Sequence, residues 1–292
     1  MNESFVPLVE PLGQTADPAE VCARFLDLPY VLFLDSAATQ HPDAQYSFLA
    51  AGPSRVVRSK GSHTETLNLP EDGWTPVAGD ALSVARALLP AEPTEPMPGL
   101  PPFQGGIAGY LGYDWGAVLE RLPRPRYDDL AIPDVVLGLY DWVIAWDHRI
   151  GTAWLISTGL PESGEARMTL ARERMEMVRE RLGGRRGGYP STGGWAAGQR
   201  SLPRASERGG SGAVAAGRDM APSYPVVGIE GAEKISLRST FTHRAYLDAV
   251  ARVRDYILAG DIFQANLSQR FQCRSNEAPF HLYRRLRQRN PA

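Results

Sequence analysis

The feature that most limits how this chain can fold is a break in its composition. From Gly183 to about Gly231 the sequence turns to Gly, Ser, Arg, Ala and Pro, as in GGRRGGYPSTGG and SERGGSGAVAAGRD. Such a stretch cannot bury enough apolar surface to offset the entropy of ordering it, so it reads as a long disordered linker. Packed structure must then be built separately on its two sides. The chain divides into a first domain over 1–182, a linker over 183–235 and a further segment over 236–292. Arginines in the linker could touch RNA or an acidic partner, but a solvated linker is the simpler account. With 292 residues the chain is long enough for two domains or one large one. A formal charge of −2 and a pI near 6.2 give no basic field for nucleic acid or an anionic membrane, so small molecules or proteins are the expected partners. The two cysteines, Cys22 and Cys273, make neither a disulfide framework nor a zinc spacing. MNESFVPLVEPLG has no basic n-region, and no run approaches the ~18 apolar residues of a membrane span. A soluble, cytoplasmic protein is expected.

The first domain reads as strand-rich. PYVLFLDSA, from Pro29, is a short apolar run that leaves Asp35 and Ser36 at a strand end. YSFLAAGP and SRVVRSKG are two more strands broken at Gly52 and Pro53, and a small antiparallel sheet accounts for them. Gly79 to Leu89 has helical spacing and is stopped by Pro90. In PFQGGIAGYLGYDWG, Pro102 to Gly116, the first two glycines are adjacent, so it is not a dinucleotide fingerprint; glycines among aromatics point to close backbone packing. DVVLGLYDWVIAW and TAWLIST form a hairpin around DHRIG, in which His148 reads as a solvated turn residue. Ser163 to Leu182 carries Met168, Ala171, Met175, Val178 and Leu182 on one helical stripe.

Beyond the linker, Tyr246, Val250, Val253 and Ile257 recur at helical offsets. Thr242 is a natural N-cap, Phe241 and Tyr246 a hydrophobic staple, and Gly260 a left-handed stop. Phe263, Ala265, Leu267 and Phe271 then alternate with Gln264, Asn266, Ser268 and Arg270, the period of a strand. Its polar face begins with neutral groups that both donate and accept. Periodicity leaves two readings open, a solvent-facing strand or a surface for a polar, uncharged part of a ligand. A last helix spans Pro279 to Arg289, with Phe280, Tyr283 and Leu286 on one side and Arg284, Arg285, Arg287 and Arg289 as a solvated face.

These residues resemble the chorismate-utilising enzymes. FLDSA with QYSFLAAGP, PFQGGIAGYLGYDWG, DVVLGLYDWVIAWDH, and AGDIFQANLSQRF with LYRRLRQRNPA occur in that family's order and relative placement. The wording of Gln264, Ala265 and Asn266 and of the Gly105 to Leu122 block is more similar to the aminodeoxychorismate synthase large subunit than to that of anthranilate synthase. The resemblance implies an α+β, antiparallel-sheet-rich, anthranilate synthase component I-like fold. It implies replacement of the chorismate 4-hydroxyl by an amino group, a transferase step leading to para-aminobenzoate and folate. Ammonia would come from a glutamine amidotransferase subunit, and Mg²⁺ would hold a substrate carboxylate. Relatives that make isochorismate or salicylate have a lysine base where Gln264 stands, and a glutamine cannot take a proton near neutral pH. Gln264, Asn266 and Ser268 are thus the expected substrate-side residues. Ser36, Tyr46, Ser47, Asn290 and Pro291 match a tryptophan pocket, regulatory in the anthranilate enzymes; strand capping is the equal alternative for Ser36. The family's magnesium-binding glutamates, catalytic histidine and later lysine have no counterpart in this sequence. The expectation is therefore a truncated, inactive chain with an incomplete catalytic domain, or a noncatalytic module that binds an effector or docks the amidotransferase.

Overall fold

A computed structural model describes residues 6–13, 16–71, 73–90, 96–122, 127–184 and 220–291. Most of the expected linker, 185–219, lies outside them. The strands are β1 (Leu8–Gly13), β2 (Leu32–Leu34), β3 (Tyr46–Ala50), β4 (Arg55–Lys60), β5 (His63–Asn68), β6 (Thr75–Val77), β7 (Gly106–Leu111), β8 (Val135–Tyr140), β9 (Trp142–Asp147), β10 (Thr152–Ser157), β11 (Tyr224–Pro225), β12 (Arg238–Ser239) and β13 (Phe271–Gln272). The helices are α1 (Pro18–Cys22), α2 (Ala81–Arg86), α3 (Gly116–Leu119), α4 (Gly164–Leu182), α5 (His243–Ala259) and α6 (Pro279–Arg289). Two compact units emerge from the contacts: one joins 1–124, 132–204 and 278–292, the other 125–131 and 205–277.

The first unit holds two five-stranded antiparallel sheets, ordered β1-β10-β9-β3-β2 and β6-β5-β4-β8-β7. The sequence pattern predicts one small sheet around β3 and β4; the structure puts these strands in different sheets. The chain turns between sheets at Gly52 and Pro53, and again at Asp141 between β8 and β9. Because β3 pairs with β9 and β4 with β8, 46–60 and 135–147 run alongside each other around both corners. Alternation along the strands then sorts the side chains. Leu49, Ile144, Trp146 and Leu155 face α1 and α4, where Phe25, Met175, Val178 and Phe280 of α6 complete a core; Phe48, Val143 and Ile156 face the other way, onto Tyr140 and Phe103. A third cluster packs α2 against Val57, Val135 and Leu137 of the second sheet. Each fully buried Leu, Ile or Val contributes about 1.5–3 kcal/mol, so these clusters hold the sheets.

The expected hairpin is β9 and β10, with Asp147 opposite Thr152. The glycines of 105–116 do permit close backbone approach: a Cβ on Gly109 would lie 2.0 Å from the Val136 carbonyl oxygen on neighbouring β8. The partner is backbone rather than an aromatic cover, since Tyr113 is 94% exposed. Another contact of this kind closes β10 onto α4. Gly159, at φ +61°, sits against the Arg167 carbonyl, and Arg167 Nε donates to Thr158 O at 2.8 Å.

In the second unit, α5 has the ends that its sequence signals. Thr242 Oγ1 accepts from Ala245 N–H at 3.2 Å, and the Phe241 and Tyr246 rings meet edge to face at 5.9 Å. Gly260, at φ 82°, donates to Ile257 O while Asp261 N–H donates to Tyr256 O, the paired bonds of a Schellman stop. The following strand is much shorter than its alternation predicts. Only Phe271–Gln272 pairs, with Arg238–Ser239, and Phe263 is 92% exposed. Alternation marks a strand only where a neighbour takes the backbone hydrogen bonds, and no described residue does so for 263–269. For the same want of a cover, Ala249 is the one buried residue of α5.

Candidate functional site

The end of β2 carries the most concentrated polar chemistry of the first unit. Ser47, fully buried on β3, points its hydroxyl at this end. Its Oγ accepts from the Ser36 N–H at 3.0 Å, lies 2.7 Å from His148 Nε2 and 3.4 Å from Asp35 Oδ1. Asp35 in turn binds α6. Arg287 Nε donates to Asp35 Oδ2 at 2.5 Å and Nη2 to Oδ1 at 3.3 Å, the Tyr283 hydroxyl donates to Oδ2, and Arg287 Nη1 reaches Asp17 Oδ2 at 2.9 Å. Tyr283 and Arg287 lie four residues apart, so the helical period sets both on the face toward Asp35.

Burial shapes the electrostatics here. It works against the Arg287 charge, but the hydrogen bond and charge of Asp35, with Asp17 adding, raise the guanidinium pKa above its ordinary value. Burial, then the hydrogen bond to Asp35, pushes the Tyr283 phenol up. Burial pushes His148 below its ordinary 6.5, against the pull of Asp35. Burial, with Asp35 adding, also pushes the Cys22 thiol up to about 12, which keeps it an unreactive core group.

Of the residues that the sequence singles out here, Ser36 and Ser47 come together. Tyr46 does not join them directly: as Ser47's strand neighbour it faces the opposite side, where it packs by Phe48 and its hydroxyl accepts from Gln45 Nε2 at 2.8 Å. Asn290 ends α6, its N–H donating to Leu286 O at 2.8 Å, and Asn290 and Pro291 are exposed. Two readings are corrected. Arg287 is not part of a solvated face, its side chain being 16% exposed, and His148 is half-buried rather than a free turn residue. Asp35, Tyr283 and Arg287 escape a reading by pattern because each fits a bland role: strand end, apolar stripe and charged helix face. The usable signal is the i, i+4 Tyr–Arg pair on a helix whose apolar stripe is narrow.

The second candidate group lies in the other unit. Gln264, Asn266 and Ser268 are all exposed, on extended chain between the Schellman stop and β13. Below them, Arg270 anchors the segment. Its two terminal nitrogens bind both oxygens of Asp129 at 3.0 and 2.7 Å, and its N–H donates to Thr240 Oγ1 at 3.0 Å. The amides of Gln264 and Asn266 are thus presented from a chain pinned at both ends. Among the described residues no three His, Cys, Asp or Glu side chains are placed together to hold a metal ion.

The chain is similar to several known proteins. Anthranilate synthase component 1 of Thermus thermophilus is 30% identical over 287 residues, 96% of this chain and 50% of the relative. Aminodeoxychorismate synthase component 1 of Salmonella typhimurium is 28% identical over 302 residues, 98% of this chain and 55% of the relative. The crystal structure of anthranilate synthase component I from Streptococcus pneumoniae superposes with a TM-score of 0.55 at 21% identity, covering 86% of this chain and 47% of that one, so the two share a fold. The chain spans about half the length of the curated relatives it matches. No helix among the described residues is long and apolar enough to cross a membrane. The family model described as "chorismate binding enzyme" matches residues 30–292, and the chain belongs to that family.

Proposed function

We propose that this chain provides the N-terminal domain and one chorismate-facing wall of an aminodeoxychorismate synthase large subunit. The observation that carries the reading is Gln264, an exposed neutral amide beside Asn266 on a segment anchored at both ends. An amide can orient a substrate hydroxyl or carboxylate but supplies no base near neutral pH. Ammonia is already a nucleophile and needs no base to form it, whereas water would. The site chemistry thus favours amination of chorismate over hydration. A glutamine amidotransferase subunit would supply the ammonia, and Mg²⁺, when bound to the whole enzyme, would neutralise a substrate carboxylate. Gln264, Asn266 and Ser268 would contribute hydrogen bonds to the substrate, and the chain alone would be inactive. The product would feed para-aminobenzoate and folate synthesis in the cytoplasm.

The test pairs this chain with the C-terminal half of the Salmonella typhimurium relative and supplies chorismate, Mg²⁺ and ammonia. Expected is an amino product that retains the enolpyruvyl group, and none from this chain by itself. Neither product from the pair, with the relative's own two halves active, would count against the reading, as would turnover by the chain alone. Anthranilate as product would support the second reading, anthranilate synthesis, which the Thermus thermophilus relative favours. Ser36 and Ser47, which the structure brings together while Tyr46 faces away from them, are proposed to take tryptophan as an effector or structural ligand. Calorimetry with tryptophan tests this, and absence of heat over the millimolar range would refute it.

A further inference from the structure

The polar cluster at the end of β2 contains a hydroxyl with two competing acceptors. Ser47 is fully buried, and its oxygen already accepts from the Ser36 N–H. Its own proton can go to His148 Nε2, 2.7 Å away, or to Asp35 Oδ1, 3.4 Å away, but not to both. The short distance assigns it to a neutral His148. On the far side of Asp35 stands Arg287, which with Tyr283 ties α6 to the sheet.

We propose that Ser47 is a proton-controlled rotor linking His148 to the Asp35–Arg287 latch, so that protonation of His148 loosens α6. When Nε2 takes a proton it becomes a donor, and Ser47 must accept from it. The Ser47 proton then turns to Asp35 Oδ1, the remaining acceptor, where it competes with Arg287 Nη2. The imidazolium also brings a positive charge to face Arg287. The only covalent bond formed is Nε2–H, with a proton taken from solvent that stays on His148; every other change is in hydrogen bonding.

The charged groups around His148 act in both directions. Asp35 at the end of β2, Asp147 on β9 and Asp17 at the N-cap of α1 favour the cation, while burial and Arg287 on α6 oppose it, the opposition being larger. Two of those carboxylates are already engaged: Asp147 accepts from Gln45 Nε2 at 3.1 Å and from Arg149 N–H at 2.9 Å, and Asp17 accepts from Arg287 and Ala19 N–H. Only Asp35 is within reach of the rotor. Since the folded state lowers the His148 pKa, the unfolded chain binds more protons just below 6.5. Stability therefore falls as pH drops through that region. The proposal does not depend on which product the enzyme family member makes.

Hydrogen exchange of the α6 amides in the whole chain, corrected for intrinsic exchange and compared at pH 7.5 and 5.0, tests it. Expected is reduced protection at pH 5.0 in the wild type and loss of that step in His148→Gln, whose amide can accept from Ser47 but cannot gain a proton. An unchanged step in His148→Gln, or no step in the wild type, overturns the proposal. Should that variant fail to fold, the wild-type His148 ring resonance is followed by NMR titration. Its midpoint must coincide with that of α6 opening, and a separate midpoint overturns the rotor equally.

Discussion

Replacing Gly159 by alanine should be among the most damaging single-methyl changes in the first unit. Two costs combine. Gly159 sits at φ +61°, a left-handed conformation that an L side chain adopts at roughly 1–2 kcal/mol. The added Cβ would also lie 2.0 Å from the Arg167 carbonyl oxygen and 2.9 Å from its carbon, both backbone atoms of α4 that cannot swing aside. Relieving that contact means moving the start of α4 off β10, which stretches the 2.8 Å bond from Arg167 Nε to Thr158 O. Overpacking of this kind costs about 1–3 kcal/mol, so the total is about 2–5 kcal/mol. Gly151 provides the matched control, because its φ is +64° yet nothing lies within 4 Å of its Cβ position. Gly151→Ala should cost only the conformational part. Urea unfolding followed by tryptophan fluorescence reads the difference, since Trp142 and Trp146 lie in the core next to α4. With a slope of about 1–3 kcal/mol per molar urea, a gap of ~2 kcal/mol moves the midpoint by about 1 M. Equal midpoints for the two variants would refute the claim that close approach to α4 matters.

Other expectations concern charge and capping. Burial raises the Asp141 pKa above its ordinary 3.8, against Arg174, whose Nε donates to Oδ2 at 2.8 Å. The folded chain then holds a proton that the unfolded chain releases, so this group's contribution declines as pH rises from about the ordinary carboxylate value through the raised one. Asp141→Asn should flatten the dependence of Tm on pH above the ordinary carboxylate value, and an unaltered slope would contradict the cause assigned. Thr242→Ala removes the side-chain acceptor for Ala245 N–H and should cost about 1 kcal/mol in α5. Faster exchange confined to the first turn of α5 is the expected signature, and unchanged protection there would show that the cap contributes nothing.

The sequence is most informative where the governing physics is local. Thr242, Phe241 and Gly260 announce both ends of α5 because a cap, a staple and a left-handed glycine act within a few residues. The β9–β10 hairpin and the stripe of α4 are legible for the same reason. Reading fails where a residue answers to something distant in the chain. The alternation of 263–271 predicts a strand, yet pairing depends on a neighbour that only Phe271–Gln272 finds. The candidate site at Ser36 is only half visible. Ser36 and Ser47 can be picked out through resemblance, whereas Asp35, His148, Tyr283 and Arg287 acquire their roles from contacts more than one hundred residues away in three cases: Ser47 with His148, and Asp35 with Tyr283 and Arg287. Periodicity carries no information about such contacts. A charged helix residue looks the same in sequence whether it faces water or a buried carboxylate.

The bent pair of ribbons formed by 46–60 and 135–147 has a consequence for how the first unit assembles and comes apart. Each ribbon feeds both sheets, so neither sheet can be laid down until chain far apart in sequence has met. That makes the shared corner a late and entropically demanding closure. Conversely, a tear begun at one sheet has no natural stopping point at the bend. The two sheets should therefore melt as a single cooperative body, and a probe placed on the outermost strand of either would report the fate of both.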